Sequence, residues 1–174
     1  MDNNELNVQL EKYRRGNEEA FRIIYEQLKT PVYTIIYRVL YDQAMAEDVM
    51  QEVFLKISQT PPPSKVKKSR AWIFQVSRNL AIDYKRKIKE TEYLSEETES
   101  PPFSLEKSVS TRVDIESALK ELNENEREIV TLHLNAELKF KDIARIMDEP
   151  LGTVLWRYRK AITEMQKVLS GGAQ

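Results

Sequence analysis

The chain of 174 residues contains no cysteine and a single histidine, His133. The first absence excludes disulfides, thiolate metal sites and a cysteine nucleophile. The lone histidine sits between Leu132 and Leu134 in a helical pattern and reads as structural, not catalytic. Glycine is scarce at four residues, and there is no Gly-rich phosphate loop, no HExxH and no paired-carboxylate constellation. The sequence therefore predicts neither an enzyme nor a cofactor. No apolar run approaches the ~20 residues that span a bilayer. The acidic start MDNNELNVQLEKYRRGNEE lacks the form of a signal peptide. These absences predict a soluble, cytoplasmic protein with no membrane insertion.

Charge is abundant, at 32% of residues, and its net value of −1 conceals a strong asymmetry. Residues 1–89 carry 16 Lys/Arg against 11 Asp/Glu, residues 90–112 carry 2 against 6, and residues 113–174 carry 9 against 11. Within the first block, residues 65–89 hold nine basic side chains and one acid, Asp83, interleaved with Trp72, Phe74 and Tyr84. Cations of one sign spaced by aromatics suit a polyanionic partner better than a merely solvated face.

Few glycines and many charged and aliphatic residues favour helices. Ala20, Phe21, Ile24, Tyr25 and Leu28 follow helical spacing up to Thr30–Pro31, and Pro31 is expected to open a second helix. A third helix is expected over about Met45–Ser58. The prolines of TPPPSKVKKS (60–69) demand a loop, and a fourth helix over 70–87 fades near Ile88. Residues 89–112, Ser/Thr/Glu-rich around Pro101–Pro102, read as a flexible acidic linker. A second helical block carries Ile115, Ala118, Leu119 and Leu122, then a capping-box-like start at Asn123-x-x-Glu126 before Ile129, Val130 and Leu134. The expected fold is all-α: two small helical domains, 1–88 and 113–174, joined by the linker 89–112.

Three segments carry the functional reading. In AEDVMQEVFLKI (46–57), Val49, Val53 and Ile57 can pack inward while Asp48, Gln51, Glu52 and Leu55 share another face, suited to a basic partner helix. In RAWIFQVSRNLAIDYKRK (70–87), Val76, Leu80, Ile73, Tyr84, Ala81 and Phe74 fill the core arc, leaving Trp72, Gln75, Asn79, Asp83 and Arg86 outside it. An aromatic, amides, a carboxylate and a cation on one face exceed what burial requires. In residues 140–169, Ile143, Ala144 and Val154 have helix-turn-helix spacing around Pro150–Leu151–Gly152. The second helix then presents Gly152, Thr153, Trp156, Arg157, Arg159 and Lys160 for phosphates and base edges. Tyr33, Tyr37 and Tyr41 read as a semi-buried helix face, not a base-stacking ladder.

Together, AEDVMQEVFLKI, AWIFQVSRNLAIDYKRK and LNENEREIVTLHLNAELKFKDIARIMDEPLGTVLWRYRKA resemble the extracytoplasmic-function group of bacterial sigma factors, in the family's order and over nearly the whole chain. The resemblance implies a transcription initiation factor that binds core RNA polymerase and promoter DNA. It implies that Asp48, Gln51, Glu52 and Leu55 dock on polymerase. Loop 60–69 would form part of a pocket for a flipped base of the −10 strand, with the helix after it holding that base. The −10 contacts would come from Lys65, Lys67, Lys68, Arg70, Trp72, Gln75, Arg78, Asn79, Asp83, Lys85 and Arg86. The −35 element would be read by the helix-turn-helix, and an anti-sigma factor is a further implied partner. Departures fall in the second domain: Asp148–Glu149–Pro150 replaces the family's Gly-Ile-Pro, Leu155–Trp156 replaces Lys-Ser, and Lys139 replaces a Ser cap. The alternative is a dimeric helix-turn-helix regulator acting at an operator.

Overall fold

A computed structural model of the chain describes residues 1–64, 66–94 and 110–171, with side chains over 1–64, 66–90 and 115–170. Lys65, most of the acidic linker with Pro101–Pro102, and the terminal GGAQ side chains lie outside the described residues. Among the described residues there are eight helices and no strand, in two compact units, Met1–Thr98 and Glu99–Gln174.

The first unit begins with a helix that periodicity alone did not reveal, α1 (Asn3–Arg14). Its start is a capping box: the Asp2 carboxylate accepts from the Glu5 amide at 2.8 Å, and Glu5 accepts from the Asp2 amide at 3.0 Å. Leu6 and Leu10, one turn apart, are fully buried. The helix ends at Gly16, whose φ of 90° is open to glycine. The Asn17 amide bonds Lys12 O at 3.1 Å, and the Asn17 side chain caps the next helix.

That next helix, α2 (Glu18–Leu40), corrects the expected break: it runs through Pro31 without interruption. An internal proline costs about 3 kcal/mol. Against it stand Leu28, Val32, Ile35 and Ile36, all buried on both sides of the proline. Each such side chain is worth roughly 1.5–3 kcal/mol, so continuity wins. Asp42 then caps α3 (Gln43–Gln59) through the Met45 amide at 2.8 Å.

After the proline-rich loop comes α4 (Ser69–Leu94), which continues past Ile88. Ile73, Phe74, Ser77 and Ala81 are completely buried. Val76, Leu80 and Tyr84, expected in the core, are only half-buried. The buried face is rotated from the hydropathy arc because Ser77 turns inward, satisfying its hydroxyl on Ile73 O at 2.9 Å. α2 packs on α1, α3 and α4, so this four-helix unit has α2 at its centre.

The second unit comprises α5 (Ser110–Lys120), α6 (Glu124–Leu134), α7 (Phe140–Met147) and α8 (Leu151–Gly171). Ala118, Leu119, Leu122, Val130, Ala161 and Met165 form its core cluster, flanked by Tyr158 and Val168. Ile115 and Leu134, which carry the helical pattern, are exposed at 46% and 55%, while Leu132 points inward. The Asn123–Glu126 capping box forms as expected. Arg127 ties α6 to the end of α5 by donating to the carbonyls of Leu119, Leu122 and Lys120.

Candidate polymerase and promoter interfaces

On α3 the heptad-like phase divides cleanly. Val49, Val53 and Ile57 are buried, which turns Asp48, Gln51, Glu52 and Leu55 outward together. Leu55 is 57% exposed, so a large apolar side chain stands in water beside two carboxylates and an amide. Such a stripe lowers its free energy by covering leucine and meeting positive charge.

On α4, Gln75, Asn79 and Arg86 are exposed, and Trp72, Arg78, Asp83 and Lys85 are half-buried. Trp72, Gln75, Asn79, Asp83 and Arg86 follow i, i+3, i+7, i+11 and i+14, so they form one stripe along the helix. Asp83 is engaged by Arg86 at 3.1 Å. Lys67 and Lys68 are exposed at the foot of this helix. Arg70 departs from the expected basic surface. It is 8% exposed, its guanidinium donates to Met1 O, and it lies 5.4 Å over the Phe74 ring. The structure therefore places Arg70 in the packing between α1 and α4.

Tyr33 and Tyr37 of α2 and Tyr41 just past its end lie together, Tyr37 buried and the other two half-buried, close to the semi-buried face that the sequence suggested. Tyr37 stacks on Tyr33 and is tilted against Tyr41, each pair at 6.0 Å. Burial, with smaller effects of Glu47 and Asp42, raises the Tyr33 phenol above its ordinary range and keeps it neutral.

In the second unit, α7, a turn and α8 build the helix-turn-helix. Asp148 occupies the left-handed position at φ 54°, where glycine would be unstrained. The Glu149 amide bonds Ala144 O at 2.9 Å, and buried Ala144 and Val154 let the two helices close. α7 starts at Lys139 without a side-chain cap. His133 is structural, as expected: its ring stacks on Phe140 at 4.2 Å, meets Tyr158 edge-on at 5.0 Å, and Nδ1 lies 2.9 Å from Leu138 O.

The outer face of α8 carries Gly152, Trp156, Arg159 and Lys160, all exposed, with Thr153 and Arg157 half-buried. A Cβ on Gly152 would meet nothing within 4 Å, so internal packing does not require glycine there. Trp156 is 61% exposed, and the Lys160 ammonium lies 5.9 Å from its ring centroid. Sequence reasoning missed the counterions of this face. Glu149 holds Arg157 at 3.1 Å, and Glu126 holds Lys160 at 2.7 Å. A polar cleft of about 350 Å³ lies between Trp156, Arg157 and Lys160 and the start of α6. No rule of helical spacing pairs residues across the turn or between α6 and α8, so these pairs had no sequence signal.

A helix-turn-helix with cations along its second helix, in a chain whose other unit carries a basic, amide-bearing face with a half-buried tryptophan, fits a nucleic-acid-binding protein. Comparison with known proteins narrows this. Residues 24–91 match Sigma-70 region 2, and residues 118–167 match Sigma-70, region 4. The ECF RNA polymerase sigma factor SigM of Bacillus subtilis (strain 168) is 31% identical over 147 residues, 80% of this chain and 90% of that protein. SigW of the same organism is 25% identical over 180 residues, covering 94% and 96%. Among solved structures, CnrH in complex with the cytosolic domain of CnrY aligns with a TM-score of 0.66, at 17% identity over 96% of this chain and 98% of that one. RpoE of Bartonella quintana, in complex with the anti-sigma factor NepR, aligns at 0.59 and 21% identity, covering 86% and 98%. These two likenesses are of fold. The chain belongs to the extracytoplasmic-function sigma factors of the sigma-70 family, the promoter-recognising initiation factors of bacterial RNA polymerase. The operator-binding dimer is set aside by this membership. Among the described residues no helix is long and apolar enough to cross a membrane.

Proposed function

We propose that the chain acts in the cytoplasm as a non-catalytic initiation subunit whose two domains, 1–88 and 113–174, divide promoter recognition. The exposed Asp48–Gln51–Glu52–Leu55 stripe docks on core polymerase. The Trp72–Gln75–Asn79–Asp83 face of α4, with Lys67, Lys68, Arg78, Lys85 and Arg86, receives the −10 strand. Flipping one base costs a few kcal/mol of stacking and pairing, offset by a fitted pocket and phosphate contacts. The α8 face from Gly152 to Lys160 reads the −35 duplex. The observation that carries this reading is that one small unit turns two chemically different faces outward, acidic-apolar on α3 and basic-aromatic on α4. The Bartonella quintana protein is bound by an anti-sigma factor, and a regulator of that kind is proposed for this chain too.

Permanganate probing of promoter DNA bound by the reconstituted holoenzyme tests the assignment. Unstacked thymines in the −10 region are expected with the wild-type chain and are expected to fade with Trp72→Ala or Asn79→Ala. Undiminished reactivity in both variants would overturn the assignment of the α4 face.

A further inference from the structure

The loop between α3 and α4 is built to need outside help. It contains Pro61, Pro62 and Pro63, which have no amide hydrogen, and among the described residues between them and α4 only the Val66 amide makes a local backbone bond, to Pro63 O at 2.8 Å. Its fixed points come from α1. At the far end of α1, the Tyr13 hydroxyl donates to Ser58 O at 3.0 Å, and Arg14 donates to Pro62 O while Glu11 holds its guanidinium at 3.2 Å. At the near end, the Asn3 amide acts twice. Its Nδ2 donates to Lys67 O at 2.5 Å, and its Oδ1 accepts from the Arg70 amide at 3.1 Å. The Arg70 amide is one of the first donors of α4, which have no partner within their own helix. The start of α4 is thus capped by a side chain from another helix. The first backbone bond of α4 then runs from the Trp72 amide to Lys68 O at 3.1 Å.

We propose that α1 is a bracket for the −10 pocket, and that Asn3, Tyr13 and Arg14 are positioning residues for base capture. Side chains at opposite ends of α1 hold both ends of the loop, and Trp72 stands two residues beyond the Arg70 amide that Asn3 caps. Core packing does not require these bonds, because Leu6 and Leu10 already bury the other face of α1. Their acceptors are backbone carbonyls, Ser58 O in the last turn of α3 and Pro62 O and Lys67 O in the loop, so they fix the two ends of the loop whatever side chains it carries. The proposal rests on the reading of loop 60–69 and α4 as the site that takes a flipped base.

Asn3→Asp separates the two tasks of Asn3. A carboxylate still accepts from the Arg70 amide and suits the first turn of a helix, but it cannot donate to Lys67 O. The experiment uses holoenzyme and a single-stranded −10 oligonucleotide from a promoter mapped with the wild-type protein, with one abasic site moved along it. The wild-type holoenzyme should lose affinity about tenfold at the captured position, the scale of one stacked base. With Asn3→Asp, and separately with Tyr13→Phe combined with Arg14→Ala, that position-specific loss should shrink to a few-fold at most, while the melting temperature of Asn3→Asp stays near wild type. An unchanged abasic profile in both variants would overturn the bracket. A wild-type profile with no position-specific loss would instead contradict the base-pocket reading itself.

Discussion

Glu149 grips Arg157 at 3.1 Å across the turn of the helix-turn-helix, with both side chains about three-quarters buried. Lys160, one turn further along α8, is held in the same way by Glu126, whose side chain is 5% exposed. Two of the cations on the proposed −35 face therefore meet protein carboxylates before they meet phosphate. A cation that must leave a carboxylate gives DNA less than a free one.

Glu149→Gln should therefore raise the affinity of the holoenzyme for −35 duplex about fivefold at low salt and steepen its salt dependence. Glu126→Gln should act in the same direction, since glutamine can keep the capping box of α6. Titrations across a salt series, read by fluorescence anisotropy, check both.

Asp48→Lys and Glu52→Lys should each weaken core-polymerase binding about tenfold, because they bring like charge to a basic surface. Neither should shift the melting temperature noticeably, since both side chains are exposed. Asn79→Ala and Asp83→Ala should do the reverse, leaving polymerase binding intact and slowing open-complex formation. Competition against a labelled wild-type chain separates the two classes.

Trp72 and Phe74 are two residues apart and should lose stability to different extents. Phe74 is fully buried, so Phe74→Ala should cost about 3–5 kcal/mol and threaten the first unit. Half-buried Trp72→Ala should cost roughly 1–2 kcal/mol and leave the unit folded. Urea melts followed by circular dichroism give both numbers.

The second unit has room for stabilisation. Lys139→Ser would cap α7 and should add about 1 kcal/mol. Asp148→Gly would relieve a left-handed backbone position and should add about 0.5–1 kcal/mol. The two sites lie at opposite ends of α7, so calorimetry of the double variant should show near-additive gains.

The stripe on α3 was legible because Val49, Val53 and Ile57 recur every four residues, and the face opposite them follows by geometry. On α4 the exposed stripe was legible, but the core arc was misplaced because a serine that bonds its own helix can be buried, which hydropathy does not register. Pro31 misled because local propensity carries no information about how firmly Leu28, Val32, Ile35 and Ile36 on either side of it are buried against the rest of the unit. α1 had a signal, Asp2-x-x-Glu5 ahead of Leu6 and Leu10, but two leucines one turn apart make too short an apolar stripe to stand out by periodicity. Arg70 looked like part of a basic run, and only its contact with Met1 and Phe74 places it inside. Ile115 and Leu134 kept helical phase yet face water, since phase does not say where a neighbouring helix ends.

The most direct test is to mix the chain with bacterial core RNA polymerase, follow it by gel filtration, and map transcripts from sheared genomic DNA. The expected result is a stable complex with discrete start sites that core polymerase alone does not produce, and loss of the complex with Asp48→Lys. A chain that elutes apart from polymerase and binds duplex DNA as a dimer would contradict the proposed division of the two faces.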